Sequence, residues 1–156
     1  MSRLFALFPL LLALLVGCTE GQKANPATRA ASLYERLGGE KAIAKVVDDF
    51  VANVVADKKI KKKHKDHFEK GDVAGLKRKL IDQIGQATGG PQKYTGKNMK
   101  DAHKGLGIDD ADFDALVADL RKALDDNKAA AADRDELLKM LAPMRADVVE
   151  KADPEK

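Results

Sequence analysis

Apolar residues recur at helical spacing along most of the chain. They fall three or four residues apart from Ile43 to Val55, from Val73 to Ala87, from Phe113 to Leu124 and from Leu137 to Val148. This interval gives a helix one apolar face, whereas a half-buried strand needs strict alternation. Because no segment alternates convincingly, the pattern predicts an all-α domain.

Glycines and capping residues predict where these helices begin and end. Gly38-Gly39 follows a short turn from Leu33 to Leu37, which Ser32 and Glu35 can cap together. Gly89-Gly90-Pro91 ends a later helix, since glycine accepts a left-handed cap and proline cannot continue a helix. Further helix starts are predicted at Asp72, at Asp109 or Asp110, and at Asp133. A kink is predicted at Pro143.

A short helix is predicted from Lys97 to His103, closed by glycines at positions 105 and 107. Met99 and His103 are four residues apart and therefore share one face of this helix. Glycine turns on both sides can fix the orientation of this histidine toward a ligand, although a lone histidine is more often a core or surface residue. The surrounding apolar helix faces offer a slot that suits haem, whose iron takes an axial histidine.

The N-terminal segment has the pattern of a secretory signal. Arg3 precedes an apolar run from Leu4 to Val16, which is shorter than the ~20 residues of a membrane-spanning helix. Its end, Leu15-Val16-Gly17-Cys18, resembles the bacterial lipobox. That resemblance implies cleavage before Cys18 and its lipidation, and Thr19, not being Asp, gives no mark of inner-membrane retention. An ordinary signal peptide with an incidental cysteine is the alternative.

These patterns divide the chain into four parts. We predict a lipoprotein signal peptide over 1–17, a flexible tether over 18–31, a helical domain over 32–151 and a disordered tail over 152–156. The expected location is the bacterial cell envelope, lipid-anchored through Cys18 and facing the periplasm, with the outer membrane favoured.

Charge and residue content exclude several function classes. The 156 residues carry a formal charge of +3, and six lysines crowd between positions 58 and 65. We interpret this run as a solvated face or loop, with an anionic partner as the alternative. No aromatic interleaving or nucleic-acid motif accompanies it, so no nucleic-acid partner is expected. A single Cys and three His do not have the spacing of a zinc site, and no nucleophile has partners for hydrolysis.

The order of short motifs resembles that of a group I truncated haemoglobin, over roughly Ser32 to Glu150. The resemblance implies a two-over-two helical sandwich around haem b, with His103 as the proximal iron ligand. The motifs that carry it are Ser32-Leu33-Tyr34-Glu35-Arg36-Leu37-Gly38-Gly39, Asp49-Phe50, Leu76-Lys77, Gly89-Gly90-Pro91, Tyr94-Thr95-Gly96, Met99-Lys100 with His103, Phe113, and Leu141-Ala142-Pro143-Met144.

The same resemblance assigns residues to the haem pocket. Phe68 matches the phenylalanine that stacks on the haem, and Leu76 the first ligand-facing position of the distal helix. Lys79 matches a residue that can reach a propionate, with Lys77 a weaker candidate. The remaining haem-contact positions are Phe50, Val51, Leu80, Met99, Ile108, Phe113 and Leu116.

Two departures from the family pattern concern the distal side. Val51 stands where the family commonly has Tyr, and Leu80 where it commonly has Gln. Both family residues donate hydrogen bonds to bound dioxygen, and one such bond in a dry pocket is worth roughly 1.5–3 kcal/mol. We therefore expect dioxygen to be held about ten- to a hundredfold more weakly, and carbon monoxide to be affected less.

A third departure is an insertion before Phe68, about four residues longer than the family usually has. It carries His64 and His67 in the lysine-rich loop. Both side chains can simply face solvent or brace a propionate. The sharper hypothesis is that one of them swings in as a distal ligand or donor.

The sequence predicts a haem protein that binds dioxygen, nitric oxide or carbon monoxide, for transport, sensing or scavenging. One alternative is an enzyme, either a nitric oxide dioxygenase served by an unknown reductase or a peroxidase-like protein. Val51 and Leu80 weaken the dioxygenase, because that reaction needs a stable dioxygen complex. The other alternative is a haem-free helical interaction lipoprotein. The oligomeric state is left open.

Overall fold

The computed structural model describes residues 30–150, and the predicted signal peptide, Cys18, most of the tether and the tail lie outside that range. The described part contains helices and no strand. In chain order they are α1 (Leu33–Arg36), α2 (Gly39–Ala56), α3 (Lys62–Glu69), α4 (Val73–Ala87), α5 (Met99–His103), α6 (Asp110–Asp126), α7 (Ala131–Leu141), a 3-10 turn (Ala142–Met144) and α8 (Arg145–Val148).

The helices form the two-over-two sandwich that the sequence predicts. Helix α2 packs against both α4 and α6, and α6 packs in turn against α7. The apolar face of α2 supplies much of the core, with Val47 and Val54 fully buried. Leu124 of α6 and Leu137 of α7 meet it from the other layer. The all-α prediction is confirmed, and no helix among residues 30–150 is long and apolar enough to cross a membrane.

The predicted caps are present where helices α1, α4 and α6 begin. Ser32 and Glu35 form the reciprocal capping box, and the Asp72 side chain accepts from the Gly75 backbone N–H. Asp109, the first of two candidates, caps α6. Near the C-terminus Pro143 falls in the 3-10 turn between α7 and α8, where the kink was expected.

The lysine-rich segment is where the structure corrects the sequence analysis. Residues 62–69 form helix α3 and not a loop, and His64 is buried at 7% exposure, so it does not face solvent. Ile60 and His64 lie four residues apart and both point inward, and Phe68, four further on, is half-buried and meets Phe50 edge to face. The inward-pointing residues Ile60, His64 and Phe68 are therefore spaced as they would be on one face of a helix.

Gly85 lets the loop after α4 close against the helix. A Cβ there would meet the side chain of Gln92, with the amide carbon at 2.8 Å. Gln92 cannot easily retreat, because its amide Nε2 donates to the Tyr34 hydroxyl and to Glu40, each at 3.0 Å.

Gly85→Ala is therefore expected to destabilise the fold by about 1–3 kcal/mol through overpacking. Chemical denaturation followed by circular dichroism measures the free energy of unfolding. Gly71→Ala is the matched control, because a Cβ at position 71 has its nearest neighbour at 3.6 Å. Equal stability of the two variants would contradict the close approach at Gly85.

Candidate functional site

A cavity of about 460 Å³ opens between α4 and α5, and a second of about 140 Å³ lies deeper in the sandwich. The larger volume is in the ordinary range for a ligand pocket, roughly 300–1,000 Å³. The two cavities share wall residues and so form one slot. The shared residues are Leu80, Gln83, Met99, His103, Phe113, Leu116 and Val148.

His103 has its ring fixed by a backbone contact. Its Nδ1 lies 2.7 Å from the carbonyl oxygen of Met99, one turn earlier in α5. A carbonyl can only accept, so Nδ1 carries the proton and donates it. In the neutral ring Nε2 then holds a free lone pair, on the side of the ring away from that carbonyl. His103 lines both cavities, so the slot contains an imidazole prepared to bind a metal ion.

The segments around α5 hold this histidine in place. The side chain of Asn98 accepts from the Asp101 backbone N–H at 2.8 Å and so caps the helix start. After His103 the chain turns through Gly105 and Gly107, both with positive φ. Their N–H groups donate to the Glu150 carboxylate, at 2.7 Å for Gly107. These bonds lower the pKa of Glu150, the Gly105 bond most, and Glu150 is a residue that the sequence did not single out.

Most residues predicted for the pocket do line the slot. The larger cavity is lined by Phe68, Leu76, Lys79, Leu80, Met99, Ile108, Phe113 and Leu116, and by His103, His64 and His67. Phe50 lines the deeper cavity. The structure thus brings together residues from five helices and from the loop after α5.

Val51 and Lys77 lie elsewhere than the sequence analysis suggested. Val51 is 5% exposed and belongs to the hydrophobic core, and it does not form part of the wall of either cavity. Lys77, the weaker propionate candidate, pairs with Asp48 of α2 at 2.7 Å. Lys79 is exposed at the edge of the larger cavity, as is Lys97, so the basic rim consists of these two lysines.

Gln83 is a polar wall residue that the sequence analysis missed. Its amide Nε2 lies 3.3 Å from the sulfur of Met99 and 3.7 Å from that of Met144. Thioether sulfur is a weak acceptor, so this amide keeps most of its capacity to donate. The signal was present in the sequence, since Gln83 follows Leu80 by three residues and Leu76 by seven, along one face of α4.

Helix α3 is tied to the start of α6 across the slot. Lys61 pairs with Asp109 at 2.5 Å and with Asp112 at 2.9 Å. Lys63 donates to the carbonyl of Leu106 at 3.0 Å. These bonds link the lysine-rich insertion to the segment that follows His103.

Lys61 also perturbs the ionisation of its acidic partner. Its hydrogen bond to Asp109, joined by the N–H of Asp112, lowers the pKa of Asp109 to about 2. A depressed carboxyl pKa stabilises the fold above the unfolded value of about 3.9, and this contribution is lost as pH falls through the folded value.

We therefore expect the free energy of unfolding to fall between about pH 4 and pH 2, and Lys61→Met to remove part of that dependence. Denaturation at several pH values, with the Asp109 carboxyl followed by NMR, measures both quantities. Lys62→Met is the control on the neighbouring exposed position. A pKa of Asp109 that stays near 2 in Lys61→Met would contradict the assignment.

Comparisons with known proteins agree with the fold. The family model described as bacterial-like globin matches residues 32–150. A group 1 truncated haemoglobin of Tetrahymena pyriformis is 34% identical over 121 residues, covering 77% of this chain and 96% of that protein. One of Mycolicibacterium paratuberculosis is 32% identical over 127 residues, covering 81% and 88%. The crystal structure of a Synechococcus 2/2 haemoglobin, with covalently attached haem, superposes with a TM-score of 0.69 at 30% identity, covering 78% of this chain and all of that one.

Proposed function

The chain belongs to the bacterial-like globin family and is a truncated globin, and we propose that it holds haem b through His103 and binds diatomic gases beside an aliphatic wall. Haem binding and gas binding follow from the family, and the haem-free alternative is not favoured. The assignment of roles to individual residues is the proposal.

The single observation that carries the proposal is the orientation of the His103 ring. The Nδ1–H···O bond to Met99 fixes the tautomer and leaves Nε2 as the metal-binding nitrogen. The same contact makes the ring a better electron donor, because the donated hydrogen bond increases its basicity.

The walls of the slot fit a flat, largely apolar cofactor with charged edge groups. Phe68, Leu76 and Leu80 supply apolar surface from α3 and α4, and Met99 and Ile108 supply it from α5 and the loop that follows. Lys79 and Lys97 at the rim supply positive charge for carboxylates. Haem bound there would be held by His103 and would supply an iron able to bind a gas molecule.

Leu80 determines the chemistry offered to that gas molecule. It lines both cavities and presents an aliphatic side chain, which excludes water and donates no hydrogen bond. A gas molecule beside Leu80 finds no donor at that position, which favours weakly polarised ligands such as carbon monoxide and nitric oxide over dioxygen. Gln83, the polar residue of the same wall, has its amide against the sulfurs of Met99 and Met144. We infer a role in binding, sensing or scavenging of gases, ahead of rapid turnover.

A rapid-mixing experiment separates binding from enzymatic oxidation. The dioxygen complex of the full chain is mixed with nitric oxide, and nitrate and the spectrum are followed together, with and without an electron donor. We expect a single stoichiometric round and no sustained turnover from the chain alone. Sustained nitrate production with a simple reductant would favour the nitric oxide dioxygenase and count against this proposal.

The N-terminal segment adds a proposal about location. Cys18 ends a lipobox-like sequence, which supports attachment to a bacterial envelope membrane, facing the periplasm and with the outer membrane favoured. Such attachment would place a gas-binding globin at the membrane surface, within reach of a membrane-bound reductase. Metabolic labelling with a fatty acid tests it, with label expected on the wild type and none on Cys18→Ser. Label that persists in Cys18→Ser would contradict lipidation at this residue.

A further inference from the structure

The buried imidazole of His64 is left without a hydrogen-bond partner at its Nε2. The residue is 7% exposed and lines the larger cavity beside His67 and Phe68. Among the described residues Nε2 finds no acceptor or donor, and the nearest charged atom is Oδ2 of Asp112 at 3.6 Å, beyond hydrogen-bond distance. A buried nitrogen left unpaired costs free energy, roughly 1–3 kcal/mol, unless a ligand completes it.

The surroundings of His64 favour a neutral ring. Burial lowers the pKa of His64, and the charges of Lys61, Lys63 and the neighbouring His67 act in the same direction. Asp112 opposes them, but it is already paired with Lys61 at 2.9 Å. A neutral imidazole with an unpaired nitrogen is the form that binds a metal ion.

His67 provides an internal comparison on the same helix. It also lines the larger cavity, but its side chain is exposed to solvent, which can satisfy its ring nitrogens. Only His64 combines burial, an unpaired nitrogen and a position on the cavity wall. The structure thus separates two histidines that the sequence leaves equivalent.

Coordination by His64 would require a small shift of helix α3, which packs against α2 and α4. Its polar ties are made by Lys61, to Asp109 and to the buried Asp112, and by Lys63, to the carbonyl of Leu106. Its main apolar anchors are Ile60 and Phe68, at or beyond its two ends. A small shift of the turn between these anchors would redirect His64, and α2 and α6 also pack directly on each other.

We propose that His64 is the second protein ligand of the haem iron, bound through Nε2 on the face opposite His103. The inference rests on the proposed function, since it requires haem in the slot. The insertion then supplies a polar side chain to the sixth position of the iron. Leu80, which stands where the family commonly has Gln, does not. A gas molecule then binds only when His64 has left the iron.

This arrangement has a kinetic consequence. A ligand that occupies the sixth position 90–99% of the time lowers the apparent affinity and association rate of the gas by the fraction of open sites, about ten- to a hundredfold. At high gas concentration the association rate reaches a plateau set by the departure of His64. An open site shows no such plateau.

The test uses the full chain loaded with haem, in wild type, His64→Ala and the matched control His67→Ala. Absorption and electron paramagnetic resonance spectra report the coordination of the ferric iron. We expect a low-spin, six-coordinate spectrum for wild type and His67→Ala, and a high-spin spectrum for His64→Ala. Added imidazole should return His64→Ala to low spin, which distinguishes loss of a ligand from loss of the fold.

Carbon monoxide association, measured by rapid mixing of the gas with the resting ferrous chain, provides the second readout. It should speed up about ten- to a hundredfold in His64→Ala and lose its plateau. A high-spin wild type, or a low-spin His64→Ala without added imidazole, overturns the inference and leaves the proposed function standing. A conversion that follows His67→Ala also overturns it. A chain that takes up no haem overturns both proposals.

Discussion

Replacing His103 with Ala is expected to produce the largest functional loss available from one substitution. The change removes the only imidazole in the slot whose tautomer is fixed by a backbone carbonyl, that of Met99. Loss of a partner outside the metal's own ligands typically costs about 10–100-fold in metal affinity, so loss of the ligand itself should exceed about a hundredfold. The structural effect should be modest, because His103 is only half-buried.

Haem transfer to an excess of a haem-scavenging apoprotein measures this loss as a dissociation rate. The rate should rise more than about a hundredfold in His103→Ala and stay near wild type in His67→Ala. Imidazole added to His103→Ala should restore much of the ferrous spectrum by occupying the vacated position. If His103→Ala retains haem as firmly as wild type, the proximal assignment is wrong.

The second large effect is expected when a hydrogen-bond donor is returned to the distal wall. Leu80→Gln places an amide in the wall that both cavities share. A hydrogen bond to a polarised ligand in a dry site is worth roughly 1.5–3 kcal/mol, so dioxygen should dissociate about ten- to a hundredfold more slowly. Carbon monoxide, being less polarised, should change less.

Position 51 is the less suitable place for the same experiment. Val51 is packed in the core, and a tyrosine there would overfill the space at a cost of about 1–3 kcal/mol.

Leu80→Met is the matched control for Leu80→Gln, because it conserves volume and adds no N–H or O–H donor. Dioxygen dissociation rates from stopped flow compare the three chains. Equal rates for Leu80→Gln and wild type would show that the distal wall does not govern dioxygen binding.

The sequence predicted the long helices because they depend on local pattern, and the resemblance to a family predicted most of the pocket. Residues close together in the sequence determine the apolar spacing of α2 and α4 and the caps at Ser32 and Asp109. The structure contains all of these features. Motif order added the position of His103 relative to the other wall residues. These features need no knowledge of which segments meet in space.

The features that the sequence did not predict depend on contacts between distant segments. The sequence predicted a loop in place of helix α3, because lysines surround His64 and its burial cannot be seen from the sequence. The bonds from Lys61 to Asp109 and from Glu150 to Gly107 join residues more than forty positions apart. Gln83 was not singled out, because its place on the cavity wall depends on α4 meeting the segments that carry Met99 and Met144.

Three histidines and one leucine of the slot have roles that substitutions can test. We propose His103 as the proximal ligand because its ring is fixed by the Met99 carbonyl, and Leu80 as the residue that limits hydrogen bonding to the gas. His64 is buried and unpaired, and His67 is its exposed neighbour. Each role can be tested by one substitution with a spectrum as the readout.

The most direct test of the account is a titration of haem into the purified full chain, with carbon monoxide added to the reduced product. We expect saturation at one haem per chain and a ferrous carbon monoxide spectrum typical of a histidine ligand on the opposite side of the iron. Absence of saturable uptake, or the same carbon monoxide spectrum from His103→Ala without added imidazole, would contradict it.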